Sequence, residues 1–300
     1  MSLFSLSVAA LAAAAFLLPS GAQAQTMLTA SPPPILSVLT PTIIAQDSAA
    51  SMAYSSGSYA NKNGGTGFGA FTVATSVATP ASAFAGSFVG TAANSEGGNG
   101  GVASIDSSGK SFGTYANGTS TGAGDPSVTV SRTFAVGPTA GGSFSLDFVT
   151  GYNDGANGGG SASVALANAL GTFGTFAYVS NNTYTFNGTT ITGQGYVSGP
   201  FHLTYNITSA TTYSLTETGP FSFTGAGTFT SPITGFQVKQ ANSISNPNNG
   251  AVDHDAFFNN LQETAQPSAS AAPEPSQLGV LLAVCLGGLA LAARKRLVCA

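Results

Sequence analysis

Hydrophobic and polar residues alternate along the middle of this chain. Apolar side chains take nearly every second position over 128–136, where Arg132 is the exception, over 144–149, and over 164–170, where Asn168 is the exception. A two-residue period indicates a half-buried β-strand, because successive side chains of a strand point to opposite faces. Clusters of Gly, Asn and Pro separate these stretches as turns do. The predicted strands are 68–74, 84–89, 110–116, 128–136, 144–149, 164–170, 184–186, 191–197, 201–207, 212–216, 221–223 and 233–238.

These strands predict an all-β fold, a β-sandwich or jelly-roll-like ectodomain over 67–262. No stretch of this region shows an apolar stripe with a helical period, and no exact repeat suggests a propeller or solenoid. Hydrophobic residues make up 43% of the chain and aromatic residues 10%, which is more than disordered chains carry. We expect an extended low-complexity segment at 25–66 before the domain and a linker at 263–272 after it.

The N-terminus has the features of a secretory signal helix over 1–24. An apolar run at 8–18 precedes Ala22 and Ala24, which form a small-x-small cleavage site. This pattern predicts export by a Sec-type pathway. The first seven residues contain no Lys or Arg, so an uncleaved N-terminal anchor is the alternative.

The C-terminus predicts a transmembrane helix at 278–293. About 16 uninterrupted apolar residues form a helix about 24 Å long, which spans a bilayer if its flanking residues reach the interfaces. Arg294, Lys295 and Arg296 follow as a basic stop, and the positive-inside rule places them in the cytoplasm. The alternatives are a core helix of a soluble domain and a lipid-anchor signal, which lacks a basic end.

The residues before this helix carry a family resemblance. Pro273, Glu274, Pro275 and Ser276, the apolar helix and the basic cluster stand in that order over 273–300. This tail resembles the PEP-CTERM sorting signal of Gram-negative bacteria. The resemblance implies recognition of Pro273, Glu274 and Pro275 by an exosortase-like membrane transpeptidase, transient anchoring in the inner membrane, and then release to the cell surface or outside. It also implies a link to exopolysaccharide and biofilm production.

Charge and cysteine content exclude several functions. The segment 25–272 holds ten acidic and four basic residues, a net charge of −6, which argues against nucleic-acid binding. Charged residues form only 6% of the chain, against about 25% in typical proteins, so Gly, Ser, Thr and Asn must supply the polar surface. Both cysteines, Cys285 and Cys299, lie in the tail, so the domain has neither disulfides nor thiolate zinc sites.

Asp and Asn residues near the end of the domain are candidates for a calcium site. Asp253, Asp255 and Asn259 supply the oxygen ligands that Ca²⁺ takes, and the loop 152–155 is similar. The alternative is that these residues only form turns through bonds to their own backbone. No other cofactor is predicted.

Catalytic patterns are weak, and the chain is predicted not to be an enzyme. Glu96, Glu217 and Glu263 occur in loop or polar contexts without an identifiable partner, and no G-x-S-x-G elbow occurs. His202, between two apolar residues, is predicted to point outward from a strand. Five tyrosines could offer flat faces to sugars, or could serve as core and cross-strand partners: Tyr152, Tyr178, Tyr184, Tyr196 and Tyr213.

The sequence therefore predicts an exported, C-terminally sorted surface or matrix protein with a structural or adhesive role linked to exopolysaccharide. A lectin-like carbohydrate-binding module is the alternative, and a secreted hydrolase is a third hypothesis.

Overall fold

A computed structural model describes residues 40–77, 84–94, 102–118, 126–151, 160–179, 183–197, 199–241, 243–244 and 255–266. The predicted signal helix, the loop 152–155, Asp253 and the whole of 273–300 lie outside these residues. Within the described ranges, no helix has the length and apolar character needed to cross a membrane.

The described chain consists of strands joined by turns and three short 3-10 helices. Its strands are β1 Thr42–Asp47, β2 Thr72–Ser76, β3 Phe84–Gly90, β4 Ser111–Gly118, β5 Ser127–Thr133, β6 Ser143–Val149, β7 Ser161–Asn168, β8 Gly171–Val179, β9 Thr183–Phe186, β10 Thr189–Thr190, β11 Phe201–Ile207, β12 Thr212–Thr218, β13 Phe223–Thr228, β14 Ile233–Ala241, β15 Ser243–Ile244 and β16 Ala256–Ala265. The 3-10 helices are η1 Met52–Tyr54, η2 Ala92–Asn94 and η3 Ala103–Ile105.

These strands form two sheets, which confirms the predicted all-β sandwich. Sheet I has the order β13-β12-β11-β6-β16-β4-β15, with β1 also paired to β16 and β3 to β4. Sheet II has the order β10-β9-β8-β7-β14-β5-β2. Every described strand pair is antiparallel except β15 with β4.

The alternating apolar residues form the core between the sheets. Phe144 of sheet I stacks on Phe236 of sheet II, with ring centroids 4.8 Å apart. The single proton of the buried Tyr205 hydroxyl is within hydrogen-bond reach of two carbonyls of sheet II, those of Gly174 at 2.9 Å and Val164 at 3.2 Å. This phenol therefore joins the sheets without an unsatisfied polar atom. The core therefore follows from the two-residue period.

The structure differs from the predicted strands at several positions, most clearly at 191–197 and at β8. Residues 191–197 form no strand, and Gly193, with a φ of 80°, belongs to the connection that leads towards β11. Conversely, the prediction misses β8, which pairs with β7. Gly171 and Gly174 interrupt its apolar pattern, and Gly174 also has a positive φ, at 65°. Glycine therefore obscured one strand, while β-branched residues suggested another.

The sandwich also includes residues ahead of position 67. Strand β1 pairs with β16, and Tyr54 and Tyr59 are fully buried, although they lie in the range predicted as an extended segment. At the other end, β16 runs to Ala265, past the predicted boundary at 262. The described sandwich thus extends from 42 to 265.

Arg132 explains why this early segment packs on the domain. Its guanidinium is buried, lies 2.5 Å from an Asp47 oxygen and donates to the Gly69 carbonyl at 2.8 Å. It also lies 4.6 Å from the Phe68 ring centroid and 4.2 Å from that of Phe71. The predicted alternation placed Arg132 at an inward position, and the ion pair with β1 makes that burial possible.

Candidate functional site

The outward side of sheet I carries an unbroken row of neutral polar side chains. Strand pairing aligns one residue from each of six strands, and all six are partly or fully exposed. Because neighbouring strands lie about 4.8 Å apart, the row is about 24 Å long. Its members, in order, are Gln46, Gln262, Ser145, Thr204, Thr216 and Thr224.

Two shorter rows flank this one. On one side, Asp147, His202 and Thr218 are aligned across β6, β11 and β12. On the other side the aligned residues are Thr264, Ser143, Asn206 and Ser214, and the Ser143 and Thr264 hydroxyls are 2.8 Å apart. We call these three rows together the polar face.

Asp147 and His202 of the polar face belong to one connected hydrogen-bond network. The His202 Nδ1 lies 2.5 Å from an oxygen of Asp147, and the other Asp147 oxygen accepts from the Asn260 amide at 2.7 Å. The Ser107 hydroxyl donates to Asn260 at 2.7 Å. The His202 side chain remains half exposed, so the ring is oriented by Asp147 and still open to a ligand. Its outward direction agrees with the prediction from sequence.

A bulge in β16 brings Asn260 to this position. The pairing of β16 with β6 shifts register between Asn259 and Gln262, and Asn260 has a φ of 53°. Asparagine tolerates this left-handed conformation better than most residues. The bulge therefore turns one amide towards Asp147 and returns Gln262 to the outward side.

Asn259 has a structural role in the same bulge. Its side-chain oxygen accepts from the Ala49 amide at 2.9 Å, and its nitrogen donates to the carbonyls of Ile105 and Lys110 at 2.8 and 2.9 Å. Among the described residues, no three His, Cys, Asp or Glu side chains come together as metal ligands would. Asp253 lies outside those residues, so the calcium site at Asp253, Asp255 and Asn259 stays a prediction.

A cleft of about 610 Å³ adjoins the polar face. The cleft wall includes Gln46 and Gln262, which are members of the long row. It also includes Asn260, which is bonded to Asp147 of the polar face. The remaining wall comes from Asp47 and the turn after β1, from 64–66 and from Leu261. The cleft thus extends the row of amides beyond the edge of the sheet at β1.

The opposite sheet lacks such a continuous polar row. The corresponding residues on its outward side include two alanines and one lysine. In order, they are Ala74, Thr129, Lys239, Ser163, Ala177 and Thr185. The two faces therefore differ in chemistry, since one row is polar throughout and the other is interrupted by alanines and carries a cation.

Glu217 and Glu263 lie on the strands of the polar face but point into the core. Both are fully buried, and their carboxylate oxygens have no hydrogen-bond partner within the described structure. Burial raises the pKa of Glu217 to about 7, and the nearby His202 offsets part of this effect. Burial also raises the pKa of Glu263 to about 8. The sequence placed both residues in loop or polar contexts, which the structure corrects.

The tyrosines considered for sugar binding mostly belong to the core. Tyr178 and Tyr184 are buried cross-strand partners, and Tyr213 is buried as well. Tyr196 is half-buried, and Tyr152 lies outside the described residues. The polar face, by contrast, was not predicted as a unit. Alternate Ser, Thr and Asn residues in 143–149, 201–207 and 212–218 were the signal for it.

Comparison with known proteins gives similarities of fold only. No family model and no curated protein matches this chain. A carbohydrate esterase from Shiga toxin-encoding bacteriophage phi24B has 14% identity and a TM-score of 0.37, covering 75% of this chain and 99% of its own. An alginate lyase from Corynebacterium sp. has 10% identity and a TM-score of 0.32, with 62% and 82% covered. A family 11 carbohydrate-binding module from Clostridium thermocellum has 11% identity and a TM-score of 0.27, with 65% and 88% covered.

The prediction that this chain is not an enzyme is contradicted by this comparison. Several of the matching structures are alginate lyases, and one is a carbohydrate esterase. We therefore withdraw that prediction. The TM-scores, all below 0.5, assign no activity to this chain.

Proposed function

We propose that the polar face of sheet I binds a polysaccharide. The observation that carries this proposal is the unbroken row of amide and hydroxyl side chains across six strands. Hydroxyls and carboxamides both donate and accept hydrogen bonds, as the hydroxyl groups of sugars do. A row about 24 Å long has room for several consecutive sugar units. The half-exposed imidazole of His202 adds one further polar group beside the row.

The stiffness of the face favours binding. Threonine is restricted at χ1, and short side chains lose little rotamer entropy when a ligand orders them. Side chains held on a paired sheet are also positioned before the ligand arrives, which lowers the cost of association. Few hydrogen bonds to each sugar unit are then sufficient for binding, if the row contacts many units of the polysaccharide.

Paired substitutions test this function. The variant Thr204→Val/Thr216→Val removes two hydroxyls from the row with little change of side-chain volume. We expect its affinity for the bound polysaccharide to fall about 10- to 30-fold, because each neutral hydrogen bond contributes about 1 kcal/mol. The matched control is Thr129→Val/Thr185→Val on sheet II, where both threonines are also partly exposed. Equal loss in the two variants, measured by affinity electrophoresis, contradicts the proposal.

We further propose that this domain is exported and sorted through its C-terminal tail. The support is the sequence alone, namely the cleavage site at Ala22 and Ala24, the motif Pro273-Glu274-Pro275 and the basic stop Arg294-Lys295-Arg296. The predicted helix at 278–293 would hold the chain in the inner membrane, and an exosortase-like transpeptidase would remove the tail and release the domain. A polysaccharide-binding sandwich would then serve an adhesive role at the cell surface or in the surrounding matrix.

Intact-mass analysis of the protein from its producing cell tests this sorting. We expect the mature chain to lack both the first 24 residues and the C-terminal tail. Replacing Pro273, Glu274 and Pro275 by Ala should leave the tail attached while export continues. A tail that remains on the unaltered protein contradicts the processing step.

A further inference from the structure

We infer that the polysaccharide recognised by the polar face is uncharged. This inference rests on the proposed function and adds the chemical class of the ligand. It comes from the placement of charge, because a polymer that carries a carboxylate or sulfate on its repeating unit needs cations along its binding site.

The only fixed charge within the three rows is negative. Asp147 lies beside the long row, with its side chain 17% exposed and its oxygens held by His202 and Asn260. Protonation of His202 would at most cancel that charge. The other members of the rows are neutral amides, hydroxyls and their aliphatic parts. An anionic sugar placed along these rows would therefore meet repulsion at Asp147 and no compensating ion pair.

The cations of the described chain lie elsewhere. Arg132 is buried and paired with Asp47, and Lys239 points outward from the opposite sheet. Lys62 is partly exposed in the segment after η1, where it contacts Ser56. Lys110 borders the face, since its turn also contains Ser107, which contacts Asn260. One lysine at the border cannot match a negative charge on every repeating unit of a polyanion.

The net charge of the protein acts in the same direction. The chain carries −4 overall and −6 over 25–272. Such a charge slows the approach of a polyanion and leaves the approach of a neutral polymer unaffected. Recognition by neutral hydrogen bonds should also depend little on ionic strength, whereas recognition of a polyanion weakens as salt screens its ion pairs.

Polymers that differ only in charge test the ligand class. Purified full-length protein would be run through gels containing a neutral glucan, and through gels containing the carboxymethylated form of the same glucan. Dextran and a soluble cellulose derivative provide two such pairs, and alginate serves as a natural polyuronate. We expect retardation by at least one neutral polymer, at least tenfold weaker retardation by its carboxymethyl form, and little change between low and high salt.

Variants separate the possible results. Lys110→Ala should leave retardation by the neutral polymer unchanged, and Thr204→Val/Thr216→Val should reduce it. Stronger retardation by alginate or a carboxymethyl polymer, lost on high salt or in Lys110→Ala, overturns the inferred class. If that retardation is still reduced by the threonine variant, the proposed function stands without the inference. If none of these polymers retards the protein, the inference is contradicted. If the producer's own exopolysaccharide also fails to bind, the proposed function fails as well.

Discussion

At the scale of the residue, we expect two buried glutamates to make the stability of this domain depend on pH. Glu217 and Glu263 have neutral carboxyl groups as their stable form in the core, because burial penalises the charged form. Tyr184 and His202 are the titratable groups that interact with Glu217. Glu217 continues the alternation of Tyr213 and Leu215, but the predicted strand ends at 216, and no strand is predicted at Glu263. The inward direction of both carboxyl groups was therefore not predicted.

We expect stability to fall as pH rises from about 4.5 to about 8. In that range the folded protein holds protons on Glu217 and Glu263 that the unfolded chain has already lost, so deprotonation favours unfolding. This contribution to stability is fully present below about 4.5, the pKa of the glutamates in the unfolded chain. It is lost as the pH rises through their pKa values in the folded protein. Urea midpoints at about pH 5 and about pH 8.5 measure it. In Glu217→Gln/Glu263→Gln the difference between the midpoints should shrink strongly, and an unchanged difference contradicts this origin.

At the scale of the element, alternation identified the strands whose two faces differ most. Strands β5, β6 and β11 follow from their two-residue period, because one face of each is apolar and the other polar. The pattern failed where glycine replaced an apolar residue, as in β8. It also could not assign β1, because burial of Asp47 at the end of that strand depends on Arg132 from a strand 85 residues away. Tertiary pairing decided these cases.

The Arg132–Asp47 pair should control how firmly β1 and η1 are held. Removing one partner leaves an uncompensated buried charge, so Asp47→Ala or Arg132→Met alone should cost about 3–5 kcal/mol of unfolding free energy. The double variant Arg132→Met/Asp47→Leu should recover much of that loss, because neither charge is then buried. Urea denaturation of the three variants checks this expectation. Single variants within about 1 kcal/mol of the unaltered protein contradict the role of the pair.

At the scale of the whole molecule, the polar face arises from distant segments. Its long row joins residues from Gln46 to Gln262, and the order of the strands in sheet I differs from their order in the chain. The sequence predicted the outward direction of His202 but could not predict which residues it would adjoin. Register across six strands is a property of the folded sheet, and it sets both the length of the face and its lack of cations.

The most direct test of the central claim is to map a bound oligosaccharide on the protein by backbone amide chemical shifts. A neutral oligosaccharide cut from the retained polymer should shift amides of β6, β11, β12 and the second half of β16, including those of Thr204 and Thr216. Amides of β5, β7 and β14 on the opposite sheet should stay unchanged. Shifts confined to sheet II or to the loops, with none along the long row, would contradict binding by the polar face.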